Sequence, residues 1–334
     1  MKKRIFPLGV LIATALIYIF FGLSCPNSTA ATLTQKEQIY SINTISMVSK
    51  NIIFSVLQTS KTNYLLMSCD GGYHWSLQYK NQNPIRIFAV SKQVIYATVS
   101  SSRKDYISLI KSTNSGVKWT TVCSLKCDNS YSDLQAIGAN TLIVGMNFSS
   151  NGGKTWTQIK MPKAGIETLQ LSSWISNTKG YALFGAITGI TQSMEKTLFY
   201  TNNCGASWKI KSCSDTVSSY DPKDNPNAVG NLSLWGYGCN FFKMFPNGAG
   251  YLNMQNTYFI KTLDGGVNFN WPISINSPEF LNIFAMDMTT DKIGCICRHT
   301  PDFSTFGIYS TTNGGKSWKL IIYIDKIASQ IGIK

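Results

Sequence analysis

An octapeptide that recurs six times limits what this chain can fold into. It occupies residues 68–75, 112–119, 149–156, 201–208, 262–269 and 311–318. Each copy opens on Ser or Thr, carries Asp or Asn two residues later, Gly two after that, and Trp or Phe at the end. The fixed sets are Asp70, Gly72 and Trp75; Asn114, Gly116 and Trp119; Asn151, Gly153 and Trp156; Asn203, Gly205 and Trp208; Asp264, Gly266 and Phe269; and Asn313, Gly315 and Trp318. One element repeated along a chain in this way marks a repeat architecture.

The chemistry of the octapeptide is that of a hairpin turn. An Asp or Asn side chain accepts from the backbone just downstream and starts a turn. The Gly supplies the positive φ that a tight hairpin needs. The Ser or Thr hydroxyl ties the incoming strand to the turn. The closing aromatic opens the next strand and anchors it in an apolar layer. The flanks agree, being β-branched and aromatic. Residues 63–67, 106–110, 197–200 and 256–260 lead in, and residues 119–122, 156–159 and 318–321 lead out.

The octapeptide resembles the Asp-box, or BNR repeat. That motif occurs in sialidases, in the luminal domain of sortilin-type receptors and in propellers of the photosystem II stability and assembly factor type. The resemblance implies an all-β, six-bladed β-propeller whose boxes turn between the third and fourth strands of each blade. It also implies that the boxes lie on the outside of the ring, away from the binding face. Counted at the Asp or Asn, the steps between copies are 44, 37, 52, 61 and 49 residues. A blade of the WD40 kind takes roughly 40–45. The longest step leaves room for a seventh blade with a worn box, or for an insertion. Residues 212–231 have the Pro, Asn and Ser content of such a loop. Residues 38–42 read as a strand ahead of the first blade, expected to close the ring by joining the last one.

The N-terminus reads as an export signal over residues 1–30, followed by one propeller domain over 31–334. Lys2, Lys3 and Arg4 precede an apolar run over residues 5–23. Three outcomes compete. Residues 22–25 resemble a lipobox, which would lipidate Cys25, although Gly22 stands where that pattern wants Leu. Residues 28–30 read as a small-x-small cleavage site for soluble release. The length of the apolar run also fits an uncleaved anchor. In each case the chain is exported, to the cell envelope or beyond. The expectation is a monomer that touches membrane only through a lipid or an N-terminal anchor.

Cysteine usage agrees with export. Of nine cysteines, eight remain beside Cys25, and an even count outside the cytosol suggests disulfides. Cys123 with Cys127, and Cys204 with Cys213, are close enough in sequence to be local staples. Cys295 and Cys297 would share one face of a strand, so each would pair elsewhere. Only two histidines accompany them, which argues against a metal centre. No cofactor is expected.

The chain carries 30 Lys and Arg against 16 Asp and Glu, a net charge of +14, and the leader accounts for only three of the basic residues. That surface would attract an envelope or extracellular protein, or an anionic glycan. Nothing resembles a nucleic-acid-binding module. Residues 152–155 and 314–317 mimic the end of a phosphate loop, but they belong to the repeats and lack its first Gly.

Two functional classes remain. A sialidase-like glycosidase would clamp a carboxylate with three arginines and use a Tyr–Glu pair with an Asp acid. Beyond the leader there are only three, Arg86, Arg103 and Arg298, and the Arg-Ile-Pro triplet of that family is missing before the first octapeptide. A different glycosidase would need two carboxylates at the channel mouth, from Glu167, Asp287 or Glu279. The alternative, preferred from the layout, is a non-catalytic binding or scaffold propeller that meets its partner through a loop face.

Overall fold

The computed structural model describes residues 37–83, 85–101, 103, 105–126, 133–138, 140–160, 168–188, 193–213, 239–254, 259–269, 283–300 and 304–333. The described residues belong to one compact unit, Glu37–Lys334. The leader, Cys25, Cys127, Glu167, Glu279 and most of the 212–231 insertion lie outside the described residues.

The fold is an all-β, six-bladed propeller. Blade one is β1 (Ile39–Met47), β2 (Ile53–Thr59), β3 (Asn63–Ser68) and β4 (Ser76–Asn81). Blade two is β5 (Ile85–Ala89), β6 (Ile95–Ser100), β7 (Tyr106–Ser112) and β8 (Thr120–Lys126). Blade three is β9 (Leu134–Ile137), β10 (Thr141–Val144), β11 (Asn147–Ser149) and β12 (Thr157–Gln158). Blade four is β13 (Thr168–Trp174), β14 (Gly180–Thr188), β15 (Ser193–Thr201) and β16 (Lys209–Cys213). Blade five shows β17 (Cys239–Met244), β18 (Gly250–Met254) and β19 (Phe259–Thr262). Blade six is β20 (Ile283–Met288), β21 (Gly294–His299), β22 (Phe306–Thr311) and β23 (Lys319–Tyr323), and a short helix, α1 (Ile324–Gln330), follows. Each blade is an antiparallel meander in sequence order. No seventh blade is needed for the long fourth-to-fifth step.

Burial follows the radius. The second strands β2, β6, β10 and β21 are buried along nearly their whole length, because a sheet flanks them on both sides. They read as continuous apolar runs for that reason. The fourth strands at the rim are the least buried: β4 is half-buried with two exposed residues, β8 has one buried residue, and β12 is exposed. The core lies in the seams between blades. Phe54, Leu65, Ile87 and Ala97 fill the seam of blades one and two. Leu183, Leu198, Phe242 and Leu252 fill that of four and five.

The octapeptides make one turn six times over. Five connect the third and fourth strands of a blade, and the copy in blade five leaves its third strand, β19. In each, the leading hydroxyl accepts from the N–H of the conserved Gly, as Ser149 Oγ does from Gly153 N at 2.9 Å and Thr311 Oγ1 from Gly315 N at 3.0 Å. The same hydroxyl donates to the Asp or Asn, which caps N–H groups further on, as Asn151 Oδ1 does for Thr155 N at 2.9 Å. The conserved Gly has positive φ in every copy, and it also faces the preceding blade. A β-carbon at Gly116 would lie 2.8 Å from Leu65, and one at Gly266 would lie 2.6 Å from Leu198. In five copies the glycine is therefore demanded twice, by backbone conformation and by close approach; at Gly72 the atom nearest to a β-carbon would be 3.5 Å away, and conformation alone demands it.

Ring closure differs from the sequence expectation. The strand read at residues 38–42 is part of β1, which pairs with β2 inside blade one and not with blade six. Blade six is complete from contiguous sequence, so no edge is left for an exchanged strand. Closure instead uses side chains. Ile42, Ile45 and Trp75 of blade one pack with Cys295, Cys297 and Ile308 of blade six and with Ile324 and Ile327 of α1. Gln330 then grips the first octapeptide, accepting from Trp75 N at 2.9 Å and donating to Tyr73 O at 3.0 Å.

The local disulfide between Cys204 and Cys213 is not formed, and no disulfide is present among the described residues. Cys204 stands in an octapeptide turn with its Sγ on Asn177 O at 3.2 Å, whereas Cys213 ends β16. Strand rise alone separates the two ends of β16 by ~13 Å. Cys295 and Cys297 do share one face of β21, as strand alternation requires, and both are buried as small apolar groups. Burial pushes both thiols up to about 12.

Candidate functional site: the central channel

The first strands β1, β5, β9, β13, β17 and β20 stand side by side around a central channel. It encloses a cavity of about 170 Å³. Its polar lining includes Asn43, Arg86, Gln135, Asn240 and Lys243, and its aromatic lining includes Phe241 and Phe284.

A collar of side-chain bonds joins these inner strands near their ends. The penultimate residue of one strand accepts from the last N–H of the next. Ser46 Oγ takes Ala89 N at 2.9 Å, Ser173 Oγ takes Met244 N at 2.8 Å, and Asp287 Oδ2 takes Met47 N at 2.7 Å. Lys243 holds the same penultimate place in β17 and donates across its seam to Asp287 Oδ1 at 2.8 Å. At the seam of blades three and four, Gln135 Oε1 accepts from Trp174 N at 2.9 Å. A first-strand N–H facing the channel lacks a ladder partner on that side, so an acceptor from the neighbouring blade satisfies it.

Both carboxylates that line the channel are spent on this collar. Asp287 binds Met47 N, Lys243 Nζ and, at 2.7 Å, its neighbour Met288 N. Asp133 Oδ2 accepts from Ser172 N at 2.8 Å, Ser172 Oγ at 2.9 Å and Gln135 Nε2 at 2.9 Å. Desolvation by the channel wall pushes Asp133 above the usual carboxylate range, against these bonds and the attraction of Arg86.

The three arginines are not gathered into a clamp. Arg86 lines the channel on β5. Arg103 is exposed on the β6–β7 turn, with its guanidinium 3.8 Å from the centre of the Tyr106 ring. Arg298 is buried within β21 and lies 4.1 Å over the ring of Tyr309. Of the carboxylates considered from sequence, Asp287 is in the channel wall. Asp133, Lys243 and Gln135 carry no local sequence signal, and their roles are set by residues far along the chain.

No protein-family model matches the chain, and no curated protein sequence matches it. Solved structures do. The GH93 α-L-arabinofuranosidase of Fusarium graminearum in complex with arabinobiose is similar at 9% identity, over 86% of this chain and 94% of that one, with a TM-score of 0.53. An α-L-arabinanase of Penicillium chrysogenum complexed with arabinobiose is similar at 11% identity, over 84% and 94%, with a TM-score of 0.50. YCF48 bound to a D1 peptide is similar at 10% identity, over 86% and 85%, with a TM-score of 0.48. At these identities the likeness is one of fold, and the class that fold and channel define is the six-bladed β-propeller.

Proposed function

We propose that this chain is an exported, non-catalytic propeller of the Asp-box kind that binds a protein segment or an anionic glycan at its channel. The observation that carries the reading is the state of Asp133 and Asp287. A glycosidase needs two carboxyl groups facing a substrate, one to give a proton and one to attack or activate water. Here each carboxylate already accepts three hydrogen bonds from the wall: Asp133 from Ser172 N, Ser172 Oγ and Gln135, and Asp287 from Met47, Lys243 and Met288. Amides and aromatics remain on the wall, a surface suited to holding a chain and not to cleaving it. The excess of lysine over acidic residues supports an anionic partner.

The test has two arms. The full chain is incubated with arabinan, arabinobiose and sialyllactose, and released sugar is measured. It is also titrated calorimetrically with polygalacturonate and with a poly-glutamate peptide. The expected result is no release, together with binding to one of the two polyanions that Arg86→Gln weakens roughly tenfold. Sugar release that Asp287→Asn abolishes in a folded protein would overturn the reading.

A further inference from the structure

The face that carries the octapeptide turns has a surface that the channel does not use. In each blade the turn after the first strand and the octapeptide lie at the same end of the sheet. One backbone bond joins them each time, from Gly71 N to Asn51 O at 3.0 Å in blade one through to Gly314 N to Lys292 O at 2.9 Å in blade six. The collar keeps the inner strands parallel with their ends level. These turns therefore tile one face of the ring.

Three of the large apolar side chains exposed among the described residues stand on that face. Tyr73, Val117 and Leu263 are 48%, 57% and 71% exposed, each on a different octapeptide turn. They fall on blades one, two and five. Lysines stand between them on the arc through blade six: Lys50, Lys92, Lys118, Lys292 and Lys316, all exposed. None of these five is in a salt bridge among the described residues. The carboxylates of the same turns are already engaged. Asp70 and Asp264 cap their own turns, and Asp291 takes Asn247 Nδ2 at 3.2 Å.

We propose that this arc docks on the anionic headgroups of a lipid bilayer, with Tyr73, Val117 and Leu263 entering the interfacial layer. Charge alone would suit any polyanion. The apolar tips select lipid, because a bilayer offers an apolar layer a few ångströms beneath a charged plane. An acidic glycan offers Leu263 no apolar layer to enter. Tips that stand singly on separate turns need a fluid partner and not a shaped pocket. This surface is separate from the channel, so the failure of either proposal leaves the other standing.

The experiment places a reporter on the arc and a control on the opposite end of a strand. Leu263→Trp and Tyr40→Trp are made in the full chain, which is reconstituted with vesicles of brominated phosphatidylglycerol or of brominated phosphatidylcholine. The quenching of the added Trp is read as a difference from the parent protein. Expected is quenching at 263 in the anionic vesicles, little at 40, and loss of the 263 signal when Lys292 and Lys316 are both replaced by Ala. Absence of quenching at 263 in the anionic vesicles overturns the proposal, as does equal quenching at 263 and 40. Equal quenching in both lipids also overturns it, since headgroup charge would then not matter. Val117→Trp serves as a second reporter should Leu263→Trp melt below the parent.

Discussion

Val122 of the second blade fills the space that a side chain on Gly153 of the third would need: a β-carbon there would lie 2.6 Å from Val122 Cγ1. Gly152, one residue earlier, has positive φ as well, but its β-carbon would come no nearer than 3.8 Å to Asn140 Oδ1. The equivalent first positions in blades two and four are Ser115 and Cys204, both at positive φ. The two glycines should therefore respond differently. Gly153→Ala combines left-handed strain with overpacking and is expected to cost about 2–4 kcal/mol. Gly152→Ala meets only the strain and is expected to cost about 1–2 kcal/mol. Chemical denaturation of the two variants compares them directly, and equal losses would show that the seam, not the turn, yields.

The closing tryptophans are not equivalent either. Trp156 Nε1 donates to Gly153 O at 3.0 Å, whereas Trp318 Nε1 is buried without a partner. Trp156→Phe should lose about 1 kcal/mol for that bond, and Trp318→Phe should be close to neutral. The Phe at position 269 shows that the ring alone can close an octapeptide. Trp156→Ala removes the packing too and is expected to cost about 2–4 kcal/mol. Thermal melts of the three variants decide it. A Trp156→Ala protein that melts with the parent would remove the anchor role.

Asp287 ties three elements at once, so its loss should exceed that of a surface pair. Asp287→Ala strands the Met47 and Met288 N–H groups and leaves Lys243 without its counter-ion. A cost of about 2–4 kcal/mol follows from two unmet donors. Lys243→Met leaves both N–H bonds in place and should cost less than half as much. Reversal of that order would mean that charge pairing, not backbone satisfaction, is the work of the collar.

What was legible in the sequence was local. Each octapeptide writes its turn in eight residues, with acceptor, hydroxyl, glycine and aromatic at fixed offsets, so six hairpin turns were legible. Their place between third and fourth strands was implied by the resemblance to the Asp-box, and the longest step left a seventh blade open until the structure showed six. The collar was not legible because Ser46, Ser173 and Asp287 are ordinary residues whose partners are 43, 71 and 240 positions away. Ring closure was misread for a related reason. Pairing the chain ends solves the edge problem in principle, but β1 is already the inner strand of its own blade, and α1 covers the seam. The cysteines misled through their count: Cys295 and Cys297 fill an apolar seam, which a tally cannot distinguish from bridging.

Asp70 gives the fold a measurable acid dependence. Desolvation alone would raise its carboxyl, but bonds from the His74 N–H, the His74 ring and Ser68 overcome that and take it down to about 2. A folded value below the unfolded one means that folding favours the charged form. The stabilisation is present above about pH 4 and is lost as pH falls through about 2. Asp70→Asn keeps the acceptor oxygen that Asn114, Asn151, Asn203 and Asn313 use in the same place, so the variant should fold. Its melting temperature should lie below the parent at neutral pH, and the gap should close between about pH 4 and pH 2. A gap that stays constant across that range would show that the carboxylate charge adds nothing to the turn.

Gln330 holds the first octapeptide by hydrogen bonds while its apolar neighbours pack on the seam, and the two kinds of contact can be separated there. Gln330→Ala removes the bonds to Trp75 N and Tyr73 O at an exposed site, and a loss of about 1 kcal/mol is expected. Ending the chain after Tyr323 also uncovers the seam that Ile324 and Ile327 fill, and burial of two such side chains is worth about 3–6 kcal/mol. The loss should fall on one seam first. Hydrogen exchange in the truncated protein should quicken in β1 and β21 before it does in β13 or β17, because only the first pair lies under the helix. Uniform quickening around the ring would show that the propeller opens as a single unit and that α1 adds stability without serving as the closure.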